Sequence, residues 1–93
     1  MSEKIMTLHP EGKNGVNIDK QKYDMVKGAI LDILQEHEVH PFTGLADEVA
    51  RRLGDSFDGS FGWYTTSVKL DLEARGMIER ILDKSPQQIR LKE

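Results

Sequence analysis

The chain has no cysteine among its 93 residues. That excludes a disulfide framework, a thiolate nucleophile and a thiolate zinc site. It also lacks a basic segment followed by an apolar run at the N-terminus, so no signal peptide is expected. No apolar stretch approaches the roughly 20 residues of a membrane span. These absences make a reducing cytoplasm, away from any membrane, the expected location. Internal repeats, low-complexity runs and interdomain linkers are missing too. The sequence therefore reads as one domain over residues 1–93.

A strong excess of positive charge is also missing. The formal net charge is −3 and the pI near 5.6. Tight nonspecific DNA binding rests on Lys and Arg displacing counterions, and this balance argues against it. The charge is unevenly spread: residues 51–92 hold eight basic and six acidic side chains, and residues 1–50 hold five and nine. At 38% hydrophobic and 31% charged, the composition is that of a folded globular domain rather than a disordered tail.

Motifs of catalysis and metal binding are absent as well. The serines are Ser2, Ser56, Ser60, Ser67 and Ser85, and none lies in a Gly-x-Ser-x-Gly elbow. The run His37-Glu38-Val39-His40 lacks the spacing that puts two histidines on one helix face. It reads as a solvated helix end, with His37 suited to the helix dipole. Glu11-Gly12-Lys13-Asn14-Gly15 lacks the Lys-Ser/Thr ending of a phosphate-binding loop, so a hairpin turn explains it better. No enzymatic activity, cofactor or metal is expected. A chain of this length would need an oligomer to build a pocket.

What is present is a clear order of elements. In residues 1–18, Met6 and Leu8 alternate with Thr7, and Val16 and Ile18 alternate with Asn17. With Asn14-Gly15 between the two runs, this predicts a short β-hairpin. A frayed N-terminus is the competing reading. A first helix is expected over 19–37, capped by Asp19, with Tyr23, Val26, Ile30, Ile33 and Leu34 as its buried stripe. Glu38 to Phe42 can pair briefly as a strand. A second helix is expected over 43–53, with Thr43 as cap and Leu45, Ala46, Val49 and Leu53 facing inward. Phe57 should tuck in from the turn that follows. The third helix, over 60–75, begins after Ser60 and ends at Gly76, whose backbone suits a left-handed stop. Residues 77–92 should form two strands, Met77 to Leu82 and Gln88 to Lys92, joined through Ser85-Pro86.

The string Leu72-Glu73-Ala74-Arg75-Gly76-Met77-Ile78-Glu79-Arg80 resembles the passage from recognition helix to wing in bacterial winged-helix regulators. The resemblance covers residues 20–92. It implies an α+β, winged helix-turn-helix-like fold of three helices and a two-stranded wing, with the N-terminal hairpin outside the common pattern. The chain also resembles an uncharacterised bacterial family of winged-helix-like proteins, which brings no activity with it. Fold of this kind implies function only by analogy.

Sorted at about 100° per residue, the third helix turns Phe61, Tyr64, Thr65, Val68 and Leu72 to the core. Trp63, Ser67, Leu70 and Ala74 fall on the opposite side, which a winged helix would turn to the major groove. Base reading needs Arg, Lys, Asn or Gln, and this face has none. Three explanations stay open. The hairpin folds over the face; or a second copy or another protein covers it; or it meets DNA with Trp63 against backbone or a thymine methyl. Candidate phosphate contacts are Arg51 and Arg52 at the end of the second helix, Lys69 on the flank of the third, and Arg80, Lys84, Arg90 and Lys92 on the wing. The expected partners are thus duplex DNA through those cations, or protein through the Trp63 face.

Overall fold

The structure is a computed structural model that describes residues 3–13, 15–81 and 87–92; the side chain of Ser56 is also left undescribed. The expected turn residue Asn14, and Leu82, Lys84 and Ser85-Pro86 of the wing connection, lie outside the described residues.

Two strands open the chain, β1 (Lys4–Met6) and β2 (Asn17–Asp19), paired antiparallel with Ile5 opposite Ile18. The alternation is there, but its buried side is Thr7, while Met6 and Leu8 are 57% and 45% exposed. Hydrogen bonding gives the reason. Thr7 accepts at Oγ1 from the Val16 N–H at 2.8 Å and donates its own N–H to the Val16 carbonyl at 2.8 Å, so its polar groups are satisfied inside. Gly15 makes room for this clasp: a Cβ there would lie 1.8 Å from the Thr7 carbonyl oxygen.

Helix α1 (Lys20–His37) follows β2 without a break. Its stripe of Tyr23, Val26, Ala29, Ile30, Ile33 and Leu34 is buried, with the spacing of one helical face. Asp19 stands at the N-cap position and ends the strand paired with Lys4, and its side chain makes no capping bond. Beyond α1 come β3 (Val39–Pro41), a single 3₁₀ turn (Phe42–Gly44) and α2 (Leu45–Leu53). The expected cap Thr43 is inside that turn, and Gly44 takes the N-cap position with no side-chain bond. Leu45 and Val49 are the buried face of α2, and Phe57 is buried after it.

Helix α3 (Phe61–Ala74) starts where Ser60 Oγ accepts the Trp63 N–H at 3.2 Å. It stops at Gly76, whose φ of +77° is a conformation that an L side chain avoids. Strands β4 (Ile78–Ile81) and β5 (Gln88–Leu91) pair antiparallel, and β3 joins the far side of β5 to give the order β3-β5-β4. Ile78 and Ile89 drop from this sheet into a core shared with α1, α2 and α3. The described residues form an α+β arrangement of three α-helices and two small antiparallel sheets.

Candidate functional site

Helix α3 packs against α1, α2 and β4 and has three distinct sides. Thr65, Val68 and Leu72 fill the core. On either shoulder of that stripe sits a charged residue that is also buried, Asp71 on one side and Lys69 on the other. Buried charges are rare unless paired, and each of these has its partners.

Asp71 is fully shielded from solvent. Its Oδ1 accepts the Leu8 N–H at 2.8 Å, and its Oδ2 accepts Arg75 Nε at 2.8 Å and the Tyr23 hydroxyl in a short contact. Three donors from the N-terminal loop, from α1 and from α3 itself meet on one carboxylate. Burial, reinforced by the bond to Asp71, raises the Tyr23 hydroxyl well above the ordinary tyrosine range. The bond to Asp71 likewise raises the Arg75 guanidinium, so the cation is present at any working pH.

Lys69 fills the other shoulder. Its ammonium lies 2.9 Å from Glu73 Oε1 and donates to Gln87 Oε1 at 2.9 Å, with the Phe42 ring 4.7 Å below it. This corrects its place among the phosphate contacts. Lys69 is buried and committed to Glu73, Gln87 and Phe42; the Phe42 N–H also donates to the Gln87 carbonyl at 2.8 Å.

Four of the remaining candidate cations stand beside carboxylates. Arg52 grips Glu36 with two bonds, 2.7 and 2.9 Å, and Glu48 with a third at 3.1 Å. This grip lowers the Glu36 carboxyl below its usual range and raises Arg52. Arg51 also meets Glu48. Arg90 donates to Glu79 at 2.6 Å, directly across the β4–β5 pair. Arg80 stands 3.9 Å from Glu73, and Lys92 is exposed. Among the described residues of the expected cationic set, Arg51, Arg52, Arg80 and Arg90 thus each stand beside a carboxylate.

The outer side of α3 carries Trp63, Ser67, Leu70 and Ala74. Trp63 is 46% exposed, while the other three are half-buried. Ser67 and Ala74 lie one turn before and after Asp71, next to where Leu8 docks. The Leu8 backbone thus meets α3 at Asp71, and Trp63 stays open. Trp63 packs edge-on against Tyr64, with ring centroids 4.9 Å apart, and Tyr64 meets Phe57 in turn at 5.2 Å. A rigid aromatic base holds the indole out toward solvent.

Elsewhere, a groove of about 760 Å³ opens between the end of α1 and the sheet, lined by Glu36, Glu38, Glu79 and Arg90 over Leu34 and Leu91. Glu36 and Glu79 are already held by arginines. The His37 and His40 rings meet edge to face at 5.7 Å, and His40 Nδ1 is 2.8 Å from the Pro41 carbonyl oxygen. Among the described residues no group of three or more His, Asp or Glu side chains could hold a metal ion. No helix of the described residues is long and apolar enough to cross a membrane.

Sequence reasoning missed Asp71, Tyr23 and Arg75 as one unit. A signal existed: Asp71 and Arg75 stand four apart on a helix, the spacing of an ion pair, and Asp71 borders the core stripe.

Fold and surface together define a small α+β domain whose helix α3 presents one open tryptophan. The chain belongs to a family of unknown function, DUF6958, whose family model matches residues 4–89. No curated protein and no solved structure matches it.

Proposed function

We propose that the protein is a winged-helix-like interaction module that self-associates through the outer side of α3, without enzymatic activity. The winged-helix reading is supported by the element order α1-β3-α2-α3-β4-β5 and by the pairing of β3 with β5. One observation carries the functional part: Trp63 is open on the side of α3 that such a fold turns outward. Exposed tryptophans on rigid supports are the residues that dominate protein contacts.

The occupant fitting this side is a second copy of the chain. Trp63 lies near one end of α3, and the small residues Ser67 and Ala74 lie further along the same side. Two such helices, antiparallel about a two-fold axis, would seat each indole on the small residues of the other. An isologous contact of this kind needs a surface complementary to itself, and a large residue beside small ones meets that need.

Trp63 is the single tryptophan of the chain, so its fluorescence reports the contact directly. Sedimentation across a concentration series should show mass rising toward a dimer, acrylamide quenching falling in parallel, and Trp63→Ala remaining monomeric. A monomer at every concentration with a fully quenchable tryptophan would overturn the proposal.

A second reading, duplex DNA binding, draws on the same element order. It has only wing and α2 cations to use, and Arg51, Arg52 and Arg90 already hold carboxylates. Binding should be weak and fall steeply with salt. Anisotropy titration of a labelled duplex at low and moderate salt checks this; tight, salt-insensitive, sequence-specific binding would favour DNA over the tryptophan contact.

A further inference from the structure

We infer that the outer edge of β1 is a docking site for an extended peptide segment of a partner protein. The segment pairs antiparallel with Lys4–Met6, setting an apolar residue against Met6 and an acidic residue against Lys4. The inference goes beyond the self-association reading and does not use the Trp63 contact.

The register of the N-terminal pair fixes which main-chain groups are free. The Thr7 N–H donates to the Val16 carbonyl and the Lys20 N–H to the Glu3 carbonyl, both at 2.8 Å, in register with Ile5 opposite Ile18. Hydrogen-bonded and non-hydrogen-bonded pairs alternate along an antiparallel ladder. Glu3, Ile5 and Thr7 therefore turn their main-chain groups to β2, and Lys4 and Met6 turn theirs away. Among the described residues, those outward N–H and C=O groups have no hydrogen-bond partner. Leu8 is the next outward position, and its N–H goes to Asp71 Oδ1 at 2.8 Å, so the open edge ends there.

The other described edges are closed at one of their two outward positions. On β2, Asp19 is the N-cap of α1, so its carbonyl serves the helix. On β3, the bond from the Phe42 N–H to the Gln87 carbonyl makes Pro41 an outward position, and proline has no N–H to offer. On β4, the bond from the Lys92 N–H to the Met77 carbonyl makes Ile78 outward, and Ile78 is 1% exposed. On β1 both outward residues, Lys4 and Met6, are exposed. An extended strand completes such an edge, because it presents matching donors and acceptors at the same spacing.

Side chains narrow the partner. Lys4, Met6 and Leu8 alternate onto one face, and Met6 and Leu8 are exposed large hydrophobics. None of the ion pairs of the described residues includes Lys4. A strand with an acid opposite Lys4 and an apolar residue opposite Met6 matches that pattern, and a basic strand is repelled. A second copy of β1 matches less well, since pairing Lys4 with Met6 in both directions brings no acid to the lysine.

The test uses the full-length Trp63→Ala chain, so that the contact proposed around Trp63 cannot contribute. The probe is the peptide acetyl-Thr-Leu-Thr-Glu-Thr-amide. At millimolar concentration it should shift the Lys4 and Met6 amide resonances saturably and slow their exchange with solvent. Replacing the peptide's Glu by Lys should weaken binding by about three-fold, and Lys4→Gln should remove that preference. Methylating the Leu and Glu nitrogens of the peptide, the donors that meet β1, should weaken binding by at least about ten-fold. Met6→Pro should do the same from the protein side. The Met6 N–H bonds nothing among the described residues, so circular dichroism should show the fold kept. No saturable shift at Lys4 and Met6 would overturn the site, and equal binding of the methylated peptide would overturn strand pairing. Protection of both amides by chain concentration alone would make the occupant a second copy and overturn the partner reading.

Discussion

The two shoulders of α3 carry opposite charges and are buried by different means. On the Asp71 side, one carboxylate collects donors from three separate parts of the chain, two of them far away in sequence: Tyr23 is 48 residues distant and Leu8 63. On the Lys69 side, the ammonium is neutralised by Glu73 of the same helix, while Gln87 and the Phe42 ring complete its shell. Asp71 thus holds two distant segments by hydrogen bonds to a charge, whereas the charge partner of Lys69 is local. The difference teaches that burial of charge by itself does not measure structural importance. What matters is how many distant groups lose their partner when the charge is removed.

That contrast is open to direct test by chemical denaturation. Asp71→Ala should be the most damaging change, at about 3–5 kcal/mol, because it leaves the Tyr23 hydroxyl, the Leu8 N–H and a partly buried guanidinium without their acceptor. Lys69→Met should cost less, about 1–3 kcal/mol, since Arg80 already stands 3.9 Å from Glu73 and methionine can fill the space over Phe42. If Lys69→Met proved the more destabilising, the ranking of the two shoulders would be reversed.

Tyr23→Phe sharpens the comparison by removing one donor while leaving the Asp71 charge paired. Loss of a hydrogen bond to a charged group should cost about 1.5–3 kcal/mol near neutral pH. It should also change the pH dependence. The folded-state pKa of Tyr23 is raised above its unfolded value, so its contribution is fully present below about pH 10 and is lost as pH rises beyond that. Unfolding free energies measured between neutral and alkaline pH should fall above that point in the wild type, and fall less in Tyr23→Phe. Equal slopes would show that Tyr23 does not carry the alkaline dependence.

The smallest effect is expected at the surface. Arg52→Ala removes three bonds to Glu36 and Glu48 at the α1–α2 junction, yet the pairs face solvent. The cost should be smaller than that of Tyr23→Phe and should shrink in high salt. A loss as large as that of Tyr23→Phe would mean that the surface network fastens helices as firmly as the buried carboxylate does.

Much of the helical framework was legible from local pattern. The apolar spacing of α1, the serine that caps α3 and the glycine that ends it each act over three or four residues, and each does so in the structure. The N-terminal pairing was legible as alternation, but which side faced inward was not. A hydrophobicity rule favours Met6 and Leu8 for the interior, and the Thr7 clasp onto Val16 overrides it. The candidate site was half legible. The side occupied by Trp63, Ser67, Leu70 and Ala74 follows from helical geometry, whereas the loop beside Ser67 and Ala74 depends on a contact between Leu8 and Asp71. Lys69 read as a flank cation because nothing near it in sequence announces Phe42 or Gln87 as neighbours.

Local pattern alone settles where α3 starts and stops, which stripe of α1 and of α3 enters the core, and that Trp63 stands opposite the α3 stripe. These follow from the 3.6-residue period and from caps that act within one turn. Tertiary packing is what buries Asp71 and Lys69, brings Arg52 onto Glu36 of α1, and leaves Trp63 open. The physical reason is that a charge leaves water only where several donors or acceptors converge on it. Here that convergence is made by residues which only folding brings together.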